Sequence, residues 1–137
     1  MSDRRVDAFF YGLFMDAGIL RDSKVEPVNP RRAYVANFAL RIGQRATLLP
    51  LFGARAYGML IALTHSELER LYSASGLEHY RPEAVLAQPL EGGAVPALCY
   101  NLREAPAPDE CNPQYAMRLQ TVLSKFDFPP EYIASVA

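Results

Sequence analysis

The chain has 137 residues, of which half are hydrophobic and 21% are charged, a composition typical of a globular domain. We expect one domain over residues 1–137, because a chain of this length buries roughly 68% of its unfolded surface and needs no metal or disulfide to complete a core. Fourteen Lys and Arg against fifteen Asp and Glu give a net charge of -1. This balance offers no electrostatic footprint for nucleic acid or an anionic membrane, and we expect neither as a partner.

The two cysteines, Cys99 and Cys111, fit neither a zinc-ligand spacing nor a C-x-x-C motif. A disulfide-stabilised secreted domain would need more of them, so we expect reduced thiols and a cytoplasmic protein. Neither His65 nor His79 has a second ligand at metal-binding spacing, and we expect no bound metal. The longest strongly apolar stretch, residues 57–63, is too short to span a bilayer.

The first half of the chain predicts strands around one short helix or turn. Residues 6–11 are aromatic-rich and end at Gly12, as a buried strand running into a tight turn does. A short helix or turn is expected over residues 13–20, and a loop over residues 21–29. Three strands are then predicted, over residues 32–42 with a bulge near Asn37, over residues 46–52 with Pro50 marking an edge or a turn, and over residues 56–63.

The second half contains the clearest helix signal. Thr64 and Glu67 form a T-x-x-E capping box, and an apolar face at helical spacing follows before Gly76 ends the helix. A hairpin is predicted around Gly92-Gly93. Its strands span residues 81–89 and 95–102, and an amphipathic helix over residues 115–126, a break at Pro129-Pro130 and a short turn over residues 131–136 follow.

These elements predict a mixed α+β fold. About five to six strands, one central helix and one C-terminal helix are expected to form a small mixed β-barrel or sheet. Hairpin spacing and a single helix between strands favour this arrangement over a doubly wound α/β fold.

Candidate functional groups gather at the ends of strands and helices. A glycine after a buried strand, as in Tyr11-Gly12, lets consecutive backbone N–H groups form a nest for a carboxylate, although Gly12 could also simply end the strand. Several tyrosines stand where a hydroxyl can reach a cavity or be buried with a satisfied hydrogen bond, namely Tyr11, Tyr72, Tyr80, Tyr100 and Tyr115. Among the carboxylates near the central helix, Glu67 is committed to the cap and Glu78 is the freest to act.

Four separated stretches, in this order, resemble the gamma-glutamylcyclotransferase-like family. Residues 9–15, F-F-Y-G-L-F-M, resemble its opening strand and Y-G-S/T-x-L/M loop. Residues 56–63, followed by 66–71, are similar to its central strand and helix. Gly76 with Tyr80-Arg81 is similar to its E-G-x-x-x-Y-x-R motif, and residues 112–115 with 128–132 are similar to its C-terminal P-S-x-x-Y helix and L-P-x-x-Y ending.

The resemblance implies a small mixed barrel that needs no cofactor. Its substrate-binding residues would be Tyr11, Gly12, Leu13, Phe14, Met15, Tyr80 and Tyr115, and its ligand a gamma-glutamyl compound or a related carboxylate. In active relatives a glutamate takes a proton from the substrate α-ammonium, and the freed amine attacks the side-chain carbonyl to give 5-oxoproline and release an amine or amino acid. The near-zero charge also permits self-association as a homodimer.

The sequence departs from the family motif at the catalytic position. Ser75 stands where the family has its glutamate, and a neutral serine hydroxyl is not a base near pH 7 without an activating partner. Leu13 replaces the usual serine or threonine of the first loop, and Glu78 is the candidate substitute base. Two functions therefore stay open. One is a gamma-glutamyl cyclotransferase, and the other is an inactive family member that binds a small carboxylate metabolite or acts as an interaction module.

Overall fold

The computed structural model describes residues 4–74 and 76–137, so Ser75 lies outside the described residues. Within them the chain forms five strands and four α-helices, with a short 3-10 helix at Leu13–Met15. In chain order the elements are β1 (Arg5–Phe10), α1 (Ala17–Asp22), β2 (Val28–Ile42), β3 (Ala46–Thr64), α2 (His65–Tyr72), β4 (Tyr80–Pro89), β5 (Val95–Leu102), α3 (Pro113–Lys125) and α4 (Pro130–Ser135).

The strands close into a barrel in the order β1-β3-β2-β4-β5. Neighbouring strands pair antiparallel except where the barrel closes, at a parallel contact between β1 and β5 in which Ala8 faces Leu98. Together with the four α-helices, the barrel gives a fold that contains both helices and strands. The predicted α+β class and small mixed barrel are therefore confirmed, with five strands.

The two apolar runs predicted as separate strands belong to one strand, β3, of 19 residues. Pro50 and Gly53 suggest a break along the chain, but β2 pairs with β3 on both sides of them, from Val28 opposite Ala62 to Ile42 opposite Ala46. The prediction of two strands was wrong. Pairing with β2 keeps the backbone extended through Pro50, although a proline in the local sequence usually marks the end of a strand.

The predicted bulge near Asn37 is confirmed. The register between β2 and β3 shifts between Ala36 and Phe38, and Asn37 adopts a φ of 66°. Its Oδ1 accepts a hydrogen bond from the Gly53 N–H at 3.0 Å. Asparagine is among the residues that adopt a positive φ most readily, so this residue fits the irregular position.

The helices differ from prediction mainly at their ends. The segment 13–20 divides into the 3-10 helix and α1, since the Asp16 side chain accepts from the Gly18 N–H and starts a new helix. α3 begins two residues earlier than expected because Asn112 caps it through the Tyr115 N–H. The final segment is the helix α4 rather than a turn, with Pro130 at its first position, where a missing N–H costs nothing.

The core fills the barrel and the space beneath α3. Phe9, Leu60 and Ile61 are almost fully buried, and the α3 residues Leu119 and Leu123 are fully buried. Burial of each such side chain contributes about 1.5–3 kcal/mol. No helix in the described residues is long and apolar enough to cross a membrane.

Candidate functional site

A cavity of about 420 Å³ lies where β1 ends. It is bounded by the 3-10 helix, the β2–β3 turn, the end of α2, the start of β4 and one face of α3. The side chains and backbone that line it are Phe9, Phe10, Tyr11, Gly12, Leu13, Phe14, Ile19, Gln44, Arg45, Ala46, Tyr72, Leu77, Tyr80, Asn112, Tyr115 and Arg118.

The loop after β1 is held against α3 by Tyr115. The Leu13 N–H donates to the Tyr115 hydroxyl at 3.3 Å. A Cβ at Gly12 would lie only 2.4 Å from that hydroxyl oxygen, so the close approach requires glycine. Gly12 and Phe14, on either side of Leu13, also line the cavity.

Tyrosines form much of the cavity wall, and the hydroxyls of Tyr11, Tyr80 and Tyr115 form hydrogen bonds within the protein. The Tyr11 hydroxyl donates to the Tyr100 carbonyl at 2.7 Å, and the Tyr80 hydroxyl donates to the Ala46 carbonyl. Tyr72 stacks on Tyr100 with ring centroids 3.9 Å apart. Burial raises the pKa of Tyr11, Tyr72 and Tyr80 above its usual range. These side chains therefore stay neutral and shape the wall.

The charge that reaches the cavity is positive. Arg45 and Arg118 line it, and no aspartate or glutamate does so within the described part of the chain. Arg45 also packs against the backbone after α2, since a Cβ at Gly76 would lie 2.3 Å from an Arg45 guanidinium nitrogen. Guanidinium groups bind carboxylates and phosphates through charge-assisted hydrogen bonds, so this lining suits an anionic ligand.

Glu78 lies at the surface and does not line this cavity. Its Oε2 accepts from the Gly76 N–H at 2.8 Å. Hydrogen bonds from its own N–H and from that of Gly76 lower the pKa of the Glu78 carboxyl. The position of Ser75, the other predicted catalytic residue, falls outside the described residues.

Six residues predicted to bind substrate lie together around the cavity, namely Tyr11, Gly12, Leu13, Phe14, Tyr80 and Tyr115. Met15 does not join them, because it is 1% exposed and belongs to the core.

Four polar or charged residues of the cavity were not predicted from the sequence, namely Gln44, Arg45, Asn112 and Arg118. Arg118 could have been found from its place three residues after Tyr115 on one helix face. No local sequence pattern predicts Arg45, because this residue of the β2–β3 turn reaches the cavity only once the barrel has closed.

No protein-family model matches the sequence, and no curated protein matches it. Solved structures do match its fold. A structure described as gamma-glutamyl cyclotransferase is 18% identical with a TM-score of 0.78, the match covering 97% of this chain and 88% of that one. A yeast gamma-glutamyl cyclotransferase described as specific to glutathione is 11% identical, with a TM-score of 0.68 and coverage of 98% and 94%.

YkqA from Bacillus subtilis is 22% identical with a TM-score of 0.76. The match covers 96% of this chain but 55% of YkqA, so the chain spans about half the length of that protein. Together these likenesses establish that the chain has the gamma-glutamyl cyclotransferase-like fold.

Proposed function

We propose that the protein binds a small gamma-glutamyl compound or a related carboxylate in this cavity and does not cyclise it. The observation that carries the proposal is the charge of the lining, which holds two arginines and, among the described residues, no carboxylate. Such a lining suits recognition of an acidic ligand. It lacks the proton acceptor that cyclisation requires.

Three features of the cavity support binding. The guanidinium groups of Arg45 and Arg118 can each give charge-assisted hydrogen bonds to a carboxylate. The backbone N–H groups of Gly12 and Phe14 offer further hydrogen-bond donors that do not depend on the side chains, as in a backbone nest. The apolar wall buries the aliphatic part of a ligand, and about 420 Å³ lies within the range of small-molecule sites.

The position of Glu78 argues against ordinary turnover. Cyclisation needs a base that takes the proton of the α-ammonium so that the amine can attack the side-chain carbonyl. Glu78 is exposed, and its lowered pKa makes its carboxylate a weaker proton acceptor. A serine at position 75 adds no base of its own.

Cyclisation with Glu78 as base is a second candidate, and one contact favours it. Gly76, whose N–H holds the Glu78 carboxylate, packs against Arg45 at the cavity. In this alternative the carboxylate accepts the ammonium proton and returns it to the leaving amine, so that 5-oxoproline and a free amine are the products.

Calorimetric titration with gamma-glutamyl compounds tests the binding proposal. We expect wild type to bind and Arg118→Gln to bind at least about tenfold more weakly, because a charge-assisted hydrogen bond is lost. Arg4→Gln, which removes an exposed arginine outside the cavity, should bind as wild type does. Absence of binding by wild type would overturn the proposal.

An assay for 5-oxoproline separates the two candidates. If the protein only binds its ligand, wild type should release no 5-oxoproline. Release of 5-oxoproline by Ser75→Glu would then show that the wild-type cavity lacks only its base. Release by wild type that disappears in Glu78→Gln would instead establish the second candidate.

A further inference from the structure

We infer that the carboxylate ligand of this cavity carries no ammonium group. Its acid lies at the mouth of the cavity beside two arginines, and an uncharged, apolar body fills the interior. This inference rests on the proposed function and names the class of compound that the site accepts. Among gamma-glutamyl compounds and related carboxylates, it selects those whose α-nitrogen is acylated or absent.

The charged residues of the lining stand at the mouth of the cavity. Arg45 and Arg118 are exposed, whereas Phe9 and Phe10 of β1, which line the cavity as well, are 2% and 3% exposed. None of the ion pairs among the described residues involves Arg45 or Arg118. Both guanidinium groups can therefore receive the carboxylate of a ligand.

The interior is lined by aromatic rings that carry no charge. The Phe14 ring packs edge-on against the rings of Phe10 and Tyr72, with centroids 6.0 Å and 5.6 Å away. Burial raises the pKa of Tyr72 and Tyr80, so their hydroxyls stay neutral. Such a wall gains from burying the apolar body of a ligand. It offers no anion to a cation.

An α-ammonium has no favourable place in this site. It is bonded to the carbon next to the carboxylate, so a carboxylate at the mouth holds the ammonium near Arg45 and Arg118, where like charges repel each other. Turned inward, the ammonium loses its water and meets no carboxylate in the described lining. Attraction to an aromatic face recovers only part of the hydration that is lost.

The carboxylates near the mouth do not belong to the lining. Glu110 accepts from the Ala107 N–H at 2.7 Å and from the Gln44 N–H at 3.3 Å. Glu78 is exposed and accepts from the Gly76 N–H at 2.8 Å. Backbone donors thus hold both side chains, and neither lines the cavity. A ligand without an ammonium group needs neither of them.

A matched pair of ligands tests this inference. Gamma-glutamylanilide and glutaric acid monoanilide share the carboxylate and the aromatic body and differ only in the α-ammonium. Each is titrated by calorimetry into wild type, Gln44→Glu and Gln114→Glu. We expect wild type to bind the monoanilide at least about tenfold more tightly than gamma-glutamylanilide, because the ammonium is repelled or buried without a partner.

The two variants test whether the charge of the lining sets this preference. Gln44→Glu adds a carboxylate at an exposed position of the lining and gives the ammonium a partner. It should weaken binding of both ligands but reduce the preference for the monoanilide by about threefold or more. Gln114→Glu makes the same change at an exposed residue outside the cavity lining and should keep the wild-type preference.

The outcomes separate this inference from the proposed function. Equal affinity of wild type for the two ligands, or tighter binding of gamma-glutamylanilide, overturns the inference and leaves binding in the cavity standing. A preference that stays unchanged in Gln44→Glu overturns its assignment to the charge of the lining. Failure of wild type to bind either ligand overturns both proposals.

Discussion

At Gly12 the backbone passes so close to Tyr115 that a side chain does not fit. A Cβ would lie 2.4 Å from the tyrosine hydroxyl oxygen, whereas the next nearest atom, Cζ, is 3.7 Å away, an ordinary contact. The hydroxyl is thus both the hydrogen-bond partner of Leu13 and the atom that excludes a side chain at position 12. This contact joins the first loop to α3.

We expect Gly12→Ala to lower the free energy of unfolding by about 1–3 kcal/mol, the usual cost of overpacking. In a Tyr115→Phe background the loss should be smaller, because the clashing oxygen is gone. Urea denaturation of the four proteins gives the coupling energy. Gly93→Ala is the control, since a Cβ there meets nothing within 4 Å. An equal loss in both backgrounds would contradict the role given to the hydroxyl.

At the scale of elements, α2 is the helix that sequence defines best. The Thr64 Oγ1 accepts from the Glu67 N–H at 3.1 Å, and the Glu67 carboxylate accepts from the Thr64 N–H at 2.9 Å. Both halves of the predicted capping box are therefore confirmed. The pattern was readable because its partners lie three residues apart, a distance that helical geometry itself fixes.

Removing this cap should destabilise the protein. We expect Thr64→Ala to lower the free energy of unfolding by about 1 kcal/mol, because an orphan N–H at the start of α2 loses its acceptor. Thr64→Ser keeps the hydroxyl and should cost less. Denaturation midpoints measured at constant slope test this, and equal losses for Ala and Ser would show that the methyl group, not the cap, matters.

β3 shows that local sequence alone does not predict the boundaries of every strand. Pro50 and Gly53 are local signals of interruption, but the strand continues through them because β2 supplies its partner on both sides. Pairing of this kind joins residues far apart in sequence, and no window along β3 alone contains it. The bulge at Asn37 was predictable in place, while its hydrogen bond to Gly53 was not.

At the scale of the whole molecule, the two cysteines report on the closed barrel. Cys99 is buried, and burial together with the charge of Glu83 raises the pKa of its thiol to about 12. Cys111 is exposed. At pH 8 Cys99 lies well below its pKa and stays protonated, whereas the thiolate is the form that reacts.

We expect a disulfide reagent such as DTNB to label one thiol rapidly in the native protein at pH 8 and both thiols in denaturant. Cys111→Ser should remove the rapid phase, leaving Cys99 to react only as the molecule opens. Rapid labelling of native Cys111→Ser would contradict the burial of Cys99 inside the barrel.

The sequence by itself determined the α+β class, the capped central helix, the hairpin of β4 and β5, and six of the residues around the cavity. Each follows from short-range periodicity, caps, turns or a motif contained within a few residues. Only the tertiary structure decided that β3 is continuous, that Arg45 and Arg118 reach one cavity, and that Glu78 lies at the surface. The first depends on the pairing of β3 with β2, and the others depend on how distant parts of the chain pack side by side, through contacts that local sequence does not encode.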